Sequence, residues 1–221
     1  MTKNKAVIFD MDGVIIDSEK LWKQAENEVF SSLGVIVTDE LSDLTKFMTT
    51  SEVTKFWHDR FPWQNIESKV VEKMVVLRVI ELIGKEECHI NGVKPFIEKL
   101  RTYNYKIGLA TNSPSEIIPV VLNKLDISHL FDAVCSADFV KKTKPEPAIY
   151  CETAKKLNVE PQNCIVFEDS NSGMLAAKTA GMTVIAFTNG KKDFDFDFAD
   201  YKIDEFDRQV IDILINRTPN H

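Results

Sequence analysis

Ala6-Val7-Ile8-Phe9-Asp10-Met11-Asp12-Gly13 decides the reading of this 221-residue chain. Four apolar residues without alternation describe a strand buried on both faces, as in a parallel sheet covered by helices. Two acids and a glycine follow at once, where an open α/β sheet places its ligands, beyond the carboxyl ends of the strands. Similar runs recur at Ile107-Gly108-Leu109-Ala110, Cys164-Ile165-Val166-Phe167 and Thr183-Val184-Ile185-Ala186-Phe187, with a weaker one at Ala133-Val134-Cys135. Helical spacing of apolar residues separates them, over 93–103, 114–125, 147–157 and 172–180. Strands alternating with helices predict an α/β fold on a parallel sheet.

Residues 18–87 break that rhythm. Trp22, Ala25, Val29 and Leu33 step along one helical face, and Ile66, Val70, Met74, Leu77 and Leu82 along another. Thr49 and Glu52 have the spacing of a capping box, and Thr38 is placed to cap a further helix. The expected division is a core of residues 1–16 and 89–221, interrupted by a helical cap at 17–88. At 191–200, where Phe and Asp alternate, a surface loop or ragged edge leading to Tyr201 is expected.

Composition narrows the partners. A net charge of −7 argues against nucleic acid, whose phosphate backbone calls for basic surface. Cys88, Cys135, Cys151 and Cys164 have no CxxC spacing and no histidine cluster, so neither zinc nor a disulfide framework is indicated. Cys135 and Cys164 read as small buried hydrophobes. No apolar run approaches the ~18–20 residues of a membrane span, and the start of the chain lacks a signal peptide's apolar region. A cytoplasmic protein is expected.

Three further features fall in register with Asp10 and Asp12. Thr111 follows the second strand-like run, Glu168 and Asp169 follow another, and Lys144 precedes a helix in Lys142-Thr143-Lys144-Pro145-Glu146-Pro147. Alone, each acid is a cap or turn residue. Together, Asp10, Asp12 and Asp169 make an oxygen-rich site for a hard divalent cation, and magnesium takes one or two carboxylates plus waters and substrate phosphate. One carboxylate is then free to attack phosphorus, and another to handle protons on the leaving oxygen and on water. Lys144 and Thr111 suit the equatorial oxygens, where transition-state charge sits. Ser113-Pro114-Ser115-Glu116 has the pattern of a capped helix start aimed at the Thr111 end, favourable for an anion. Gly13 and Gly173 suggest tight turns or close backbone approach.

In this order, Asp10-Met11-Asp12-Gly13, Thr111, Lys144-Pro145-Glu146-Pro147 and Glu168-Asp169-Ser170 resemble the four motifs of the haloacid dehalogenase superfamily. The resemblance covers nearly the whole chain and is most specific in the first and last motifs. It implies a Rossmann-like core with an inserted α-helical cap, as in the β-phosphoglucomutase-like group. It makes Asp10 the nucleophile and Asp12 the general acid/base. It implies a monomer, and Mg2+ held by Asp10, the Asp12 carbonyl and Asp169, with Glu168 close by. Dehalogenases of the superfamily lack the second aspartate and use no metal, so Asp12 and the Glu168-Asp169 pair point away from them. The mutases carry a histidine at the cap hinge where Trp22 stands here, which favours hydrolysis, although an aromatic on an apolar face also reads as core.

Asp17-Ser18-Glu19, Leu21-Trp22 and Arg60-Phe61-Pro62-Trp63 are similar to the group's bacterial hexitol and 2-deoxyglucose-6-phosphate phosphatases. Those enzymes place a glycine and a basic residue in an early cap loop that reads Lys46-Phe47-Met48-Thr49 here. The implied activity is hydrolysis of a small phosphorylated metabolite, with Asn112, Ser113, Trp22 and Lys46 as further substrate contacts. A sugar-phosphate mutase, or a non-catalytic binding protein on the same fold, are the competing readings. His58, His89, His129 and His221 read as surface or cap residues, Trp57 and Trp63 as packing, and Lys141 and Lys142 as solvated charge.

Overall fold

The computed structural model describes residues 5–45, 48–190, 196–207, 210, 211 and 214. Its centre is β1 (Ala6–Phe9), every residue of which is fully buried. Around it lie β2 (Lys106–Thr111), β3 (Ala133–Ser136), β4 (Cys164–Glu168), β5 (Thr183–Phe187) and β6 (Tyr201–Ile203). They form one parallel six-stranded sheet in the order β3-β2-β1-β4-β5-β6. The register sets Phe9 opposite Leu109 and Phe167, so Asp10, Thr111 and Glu168 emerge together at the same edge.

Alternate residues of β1 feed the two faces. Ala6 and Ile8 pack with Tyr150, Leu157 and Met174 under α7 (Ala148–Leu157) and α8 (Asn171–Thr179). Val7 and Phe9 pack on the other face, with α5 (Val93–Thr102) and α6 (Ile117–Lys124). Phe9 stacks on Phe167 at 5.1 Å and meets Phe96 edge-on at 6.3 Å. Burying each such ring contributes about 2–3 kcal/mol, so the floor beneath Asp10 is apolar and tightly packed.

Between β1 and α5 come α1 (Glu19–Ser32), α2 (Asp39–Asp43), α3 (Thr50–Arg60) and α4 (Ser68–Lys85). Thr38 caps α2, and Thr49 with Glu52 completes a capping box on α3. Entry and exit lie side by side: Ile16 bridges His89, and Asp17 N–H donates to Cys88 O at 2.8 Å. Apolar packing runs unbroken from Phe30 and Trp57 in these helices through Val14, Ile15 and Ile16 to Phe9.

Two local readings are corrected and a third is sharpened. The inward face of α4 is Val71, Val75, Val79, Leu82 and Ile83, whereas Val70 and Leu77 are exposed. The helix is apolar on most of its circumference, so spacing alone did not single out the buried stripe. Helix α6 begins at Ile117, not at Pro114, because the Ser113 hydroxyl is engaged elsewhere and Asp138 Oδ2 accepts from the Ser115 N–H at 2.8 Å. Residues 196–200 form the irregular edge expected ahead of Tyr201, tied to the sheet at two points. Phe196 is buried, the Asp200 carboxylate accepts from Val184 N–H at 2.8 Å, and the chain continues into edge strand β6. Residues 191–195 lie outside the described residues.

Candidate active site

Asp10 continues β1: its N–H donates to Phe167 O at 3.0 Å, which aims its carboxylate beyond the sheet edge. The chain then turns sharply, with Ile15 and Ile16 N–H groups returning to Met11 O and the Gly13 N–H to Ile16 O at 2.8 Å. Gly13 sits at φ +79°, and a Cβ there would overlap the Asp169 carboxylate. A Cβ on Gly173 would likewise collide with Glu168. Both glycines therefore leave room for the acids of the fourth motif.

The Asp12 carboxylate is gripped from two sides. Oδ1 accepts from Ser18 Oγ at 2.5 Å and from the Trp22 indole N–H at 3.0 Å, both from the start of the α1 segment. Oδ2 accepts from Ser113 Oγ at 2.6 Å and Thr111 Oγ1 at 3.3 Å, at the end of β2. Trp22 and Ser113, expected as substrate contacts, thus line the cavity and also orient Asp12. Asn112 lines it as well, but its amide is engaged by the Lys144 backbone: Oδ1 accepts from Lys144 N–H at 3.1 Å, and Nδ2 donates to Lys144 O at 3.4 Å. Lys46 and Phe47 lie outside the described residues.

Lys144 is buried with all three ammonium donors used: on Asp10 Oδ1 at 2.7 Å, Glu168 Oε1 at 2.6 Å and Ala110 O at 3.0 Å. Burial alone would lower its pKa, but the Asp10 and Glu168 carboxylates outweigh that and hold it above the ordinary lysine value. Glu168 is fully buried and saturated, because Oε1 also accepts from Tyr150 OH at 2.6 Å. Its Oε2 accepts from the Asp169 and Ser170 N–H groups, both at 3.1 Å, and from Ser170 Oγ at 2.9 Å. Burial pushes the Tyr150 phenol well up, and Glu168 adds to it.

Carboxylates outnumber ammonium groups here. Burial raises the Asp10 carboxyl well above the usual range against the pull of Lys144, and Glu168, Asp169 and Asp12 push the same way. Oxygens of Asp10, Glu168 and Asp169 lie within 4.8 Å of one another. A hard, all-oxygen donor set with excess negative charge, made accessible by the missing side chain at Gly13, suits a divalent cation. With Glu168 already accepting five hydrogen bonds, Asp10 and Asp169 are the acids best placed to hold it directly. Above them opens a cavity of about 240 Å³, roofed by α1 and by Ser42, Asp43, Thr45, Met48, Thr49 and Thr50.

The sequence of residues 7–187 matches the family described as haloacid dehalogenase-like hydrolase. The chain belongs to that family. Among relatives of this haloacid dehalogenase-like chain, Hexitol phosphatase B of Escherichia coli (strain K12) is 37% identical over 202 residues, 90% of each chain. The "Phosphorylated carbohydrates phosphatase" of Thermotoga maritima is 35% identical, over 80% of this chain and 82% of its own length. In structure, β-phosphoglucomutase from Clostridium difficile superposes with a TM-score of 0.83 at 26% identity, covering 96% of this chain and 97% of its own. Among the described residues no helix is long and apolar enough to cross a membrane.

Tyr150 and Glu26 went unread in the sequence, and Ser18 was legible only as part of Asp17-Ser18-Glu19. Ser18 is a lone hydroxyl before a helix, a pattern that signals a cap; here its hydroxyl caps nothing and binds Asp12. Tyr150 stands six residues after Lys144 on the inner face of α7, where an aromatic signals packing. Glu26 lies one helical turn beyond Trp22 and lines the cavity, which only the fold reveals.

Proposed function

We propose that this chain is a Mg2+-dependent phosphatase of small sugar and polyol monophosphates, working through an aspartyl-phosphate on Asp10. The observation that carries the reading is the buried Lys144 bridging Asp10 and Glu168 beside Asp169, with the hydrogen-bonded Asp12 carboxylate two residues along. Similarity to the hexitol and phosphorylated-carbohydrate phosphatases supports the substrate class.

Asp10, the Asp12 carbonyl and Asp169 would hold the metal, Glu168 fixing Lys144 beside them. When bound, Mg2+ neutralises phosphate charge so that a carboxylate can approach it. An Asp10 oxygen attacks phosphorus, the bond to the ester oxygen breaks, and Asp12 gives its proton to the leaving alkoxide. Water then attacks the phosphoenzyme, Asp12 takes a proton from it, and inorganic phosphate leaves with Asp10 regenerated. Lys144 and Thr111 bear on the phosphoryl oxygens as charge develops. Residues 17–88 form the cap and 1–16 with 89–221 the core, the cap moving about the isolated backbone bridge between Ile16 and His89 to admit substrate.

A mutase is the second reading, supported by the likeness to β-phosphoglucomutase. The same assay separates the two. With Mg2+ and a hexose or hexitol monophosphate, we expect free phosphate from the wild type and none above background from Asp10→Asn. An isomerised ester without phosphate release would replace the phosphatase reading.

A further inference from the structure

The two walls of the cavity differ in charge and in saturation. On the core side lies Lys144, engaged with the Asp10 and Glu168 carboxylates beside Asp169. On the cap side stands Glu26, on the same face of α1 as Trp22 and half-buried, with no hydrogen-bond donor supplied by any described residue. Burial is the cause that pushes its carboxyl up to about 7. Asp17, Glu19 and Asp43 line the same side. Lys23, the cation among the described cap residues that line the cavity, is held by Asp39 at 2.7 Å and sits in the field of Asp43 and Glu19.

We propose that Glu26 selects the alcohol half of the ester: its carboxyl hydrogen-bonds a hydroxyl of an uncharged, polyhydroxylated leaving group. The Asp17 and Asp43 carboxylates on the same side turn away esters that carry a second anion. The inference rests on the phosphatase reading above and narrows its substrate class to monophosphates that are neutral beyond the phosphate.

The physical reason is twofold. A half-buried acceptor left without a partner is costly, and a substrate hydroxyl at that spot removes the cost, whereas an analogue lacking the hydroxyl leaves it in place. A carboxylate or second phosphate on the substrate would instead face like charge across a cavity from which water is partly excluded. The core wall offers that second anion nothing, since each ammonium hydrogen of Lys144 is already engaged.

The test compares kcat/KM for sorbitol 6-phosphate, 2-phosphoglycolate and p-nitrophenyl phosphate, in wild type and in Glu26→Gln, Glu26→Leu and Glu26→Lys. Wild type should favour the hexitol ester over 2-phosphoglycolate by ~10-fold or more. In Glu26→Leu the ratio of hexitol ester to p-nitrophenyl phosphate should fall ~10- to 100-fold. Glu26→Gln, which keeps an acceptor, should fall less, and Glu26→Lys should raise 2-phosphoglycolate relative to p-nitrophenyl phosphate. Equal turnover of the first two esters by wild type overturns the inference without any variant. An unchanged ratio in Glu26→Leu overturns it too. Absence of turnover on all three esters removes the phosphatase reading and this inference together, whereas turnover with unchanged ratios removes the inference alone.

Discussion

The core wall and the cap wall of this cavity are built on opposite rules. On the core side, strand ends β1, β2 and β4 deliver Asp10, Thr111 and Glu168 in register, and the polar groups interlock through Lys144, Tyr150 and Ser170. On the cap side, Glu26 of α1 and Asp43 line the cavity with no hydrogen-bond partner among the described residues. Saturation fixes geometry, and geometry fixes the reaction. Acceptors left free are available to a ligand, and on that basis the cap is proposed to choose the molecule. Trp22 and Ser18 join the two, being cap-side residues that bind the Asp12 carboxylate.

The largest break in this contrast is Lys144→Met. It strands the buried Asp10 and Glu168 carboxylates, and should destabilise the fold by about 3–5 kcal/mol in urea titrations. Phosphate release should fall by ~10³-fold. Gly13→Ala comes next, because its methyl displaces Asp169 and its φ is unfavourable for a side chain. Titration of activity with Mg2+ should show ~10- to 100-fold weaker activation. Tyr150→Phe leaves Glu168 one donor short and should cost about 1.5–3 kcal/mol of stability.

A smaller effect probes the cap wall. Glu26 titrates near 7 in the native state against 4.5 ordinarily, so between those values the native state holds the proton that the unfolded state has lost. Wild-type stability therefore falls as pH rises through that window, and the loss persists above 7. Glu26→Gln removes the dependence. Its advantage over wild type should be near zero at pH 4 and on the order of 1–3 kcal/mol at pH 8, read by thermal or urea unfolding. A difference that does not vary with pH would place the Glu26 carboxylate in water.

What the sequence disclosed follows the same division. The runs at Ala6, Ile107, Cys164 and Thr183 announced buried parallel strands because such strands have no polar face. Strand-end chemistry then brought Asp10, Asp12, Thr111, Lys144, Glu168 and Asp169 into register. Helix α4 was harder, since with apolar residues around most of its girth the buried face is set by packing against α1 and α3. Edge strand β6 is three residues long and half polar, too short to show a period. Ser18 and Tyr150 matter through contacts across 6 and 18 residues of sequence, and Glu26 through its place in the cavity, none of which a local pattern encodes. Ser113 looked like a helix cap because its neighbours favour one, yet its hydroxyl is claimed by Asp12.

The central claim is that Asp10 becomes phosphorylated, and trapping tests it most directly. Wild-type protein with Mg2+ and 32P-labelled sorbitol 6-phosphate, quenched in acid during turnover, should yield a hydroxylamine-labile acyl phosphate on the peptide carrying Asp10. Asp10→Asn should yield none, and neither should wild type with the metal withheld. Label on another residue, or phosphate release from Asp10→Asn at the wild-type rate, would contradict the account.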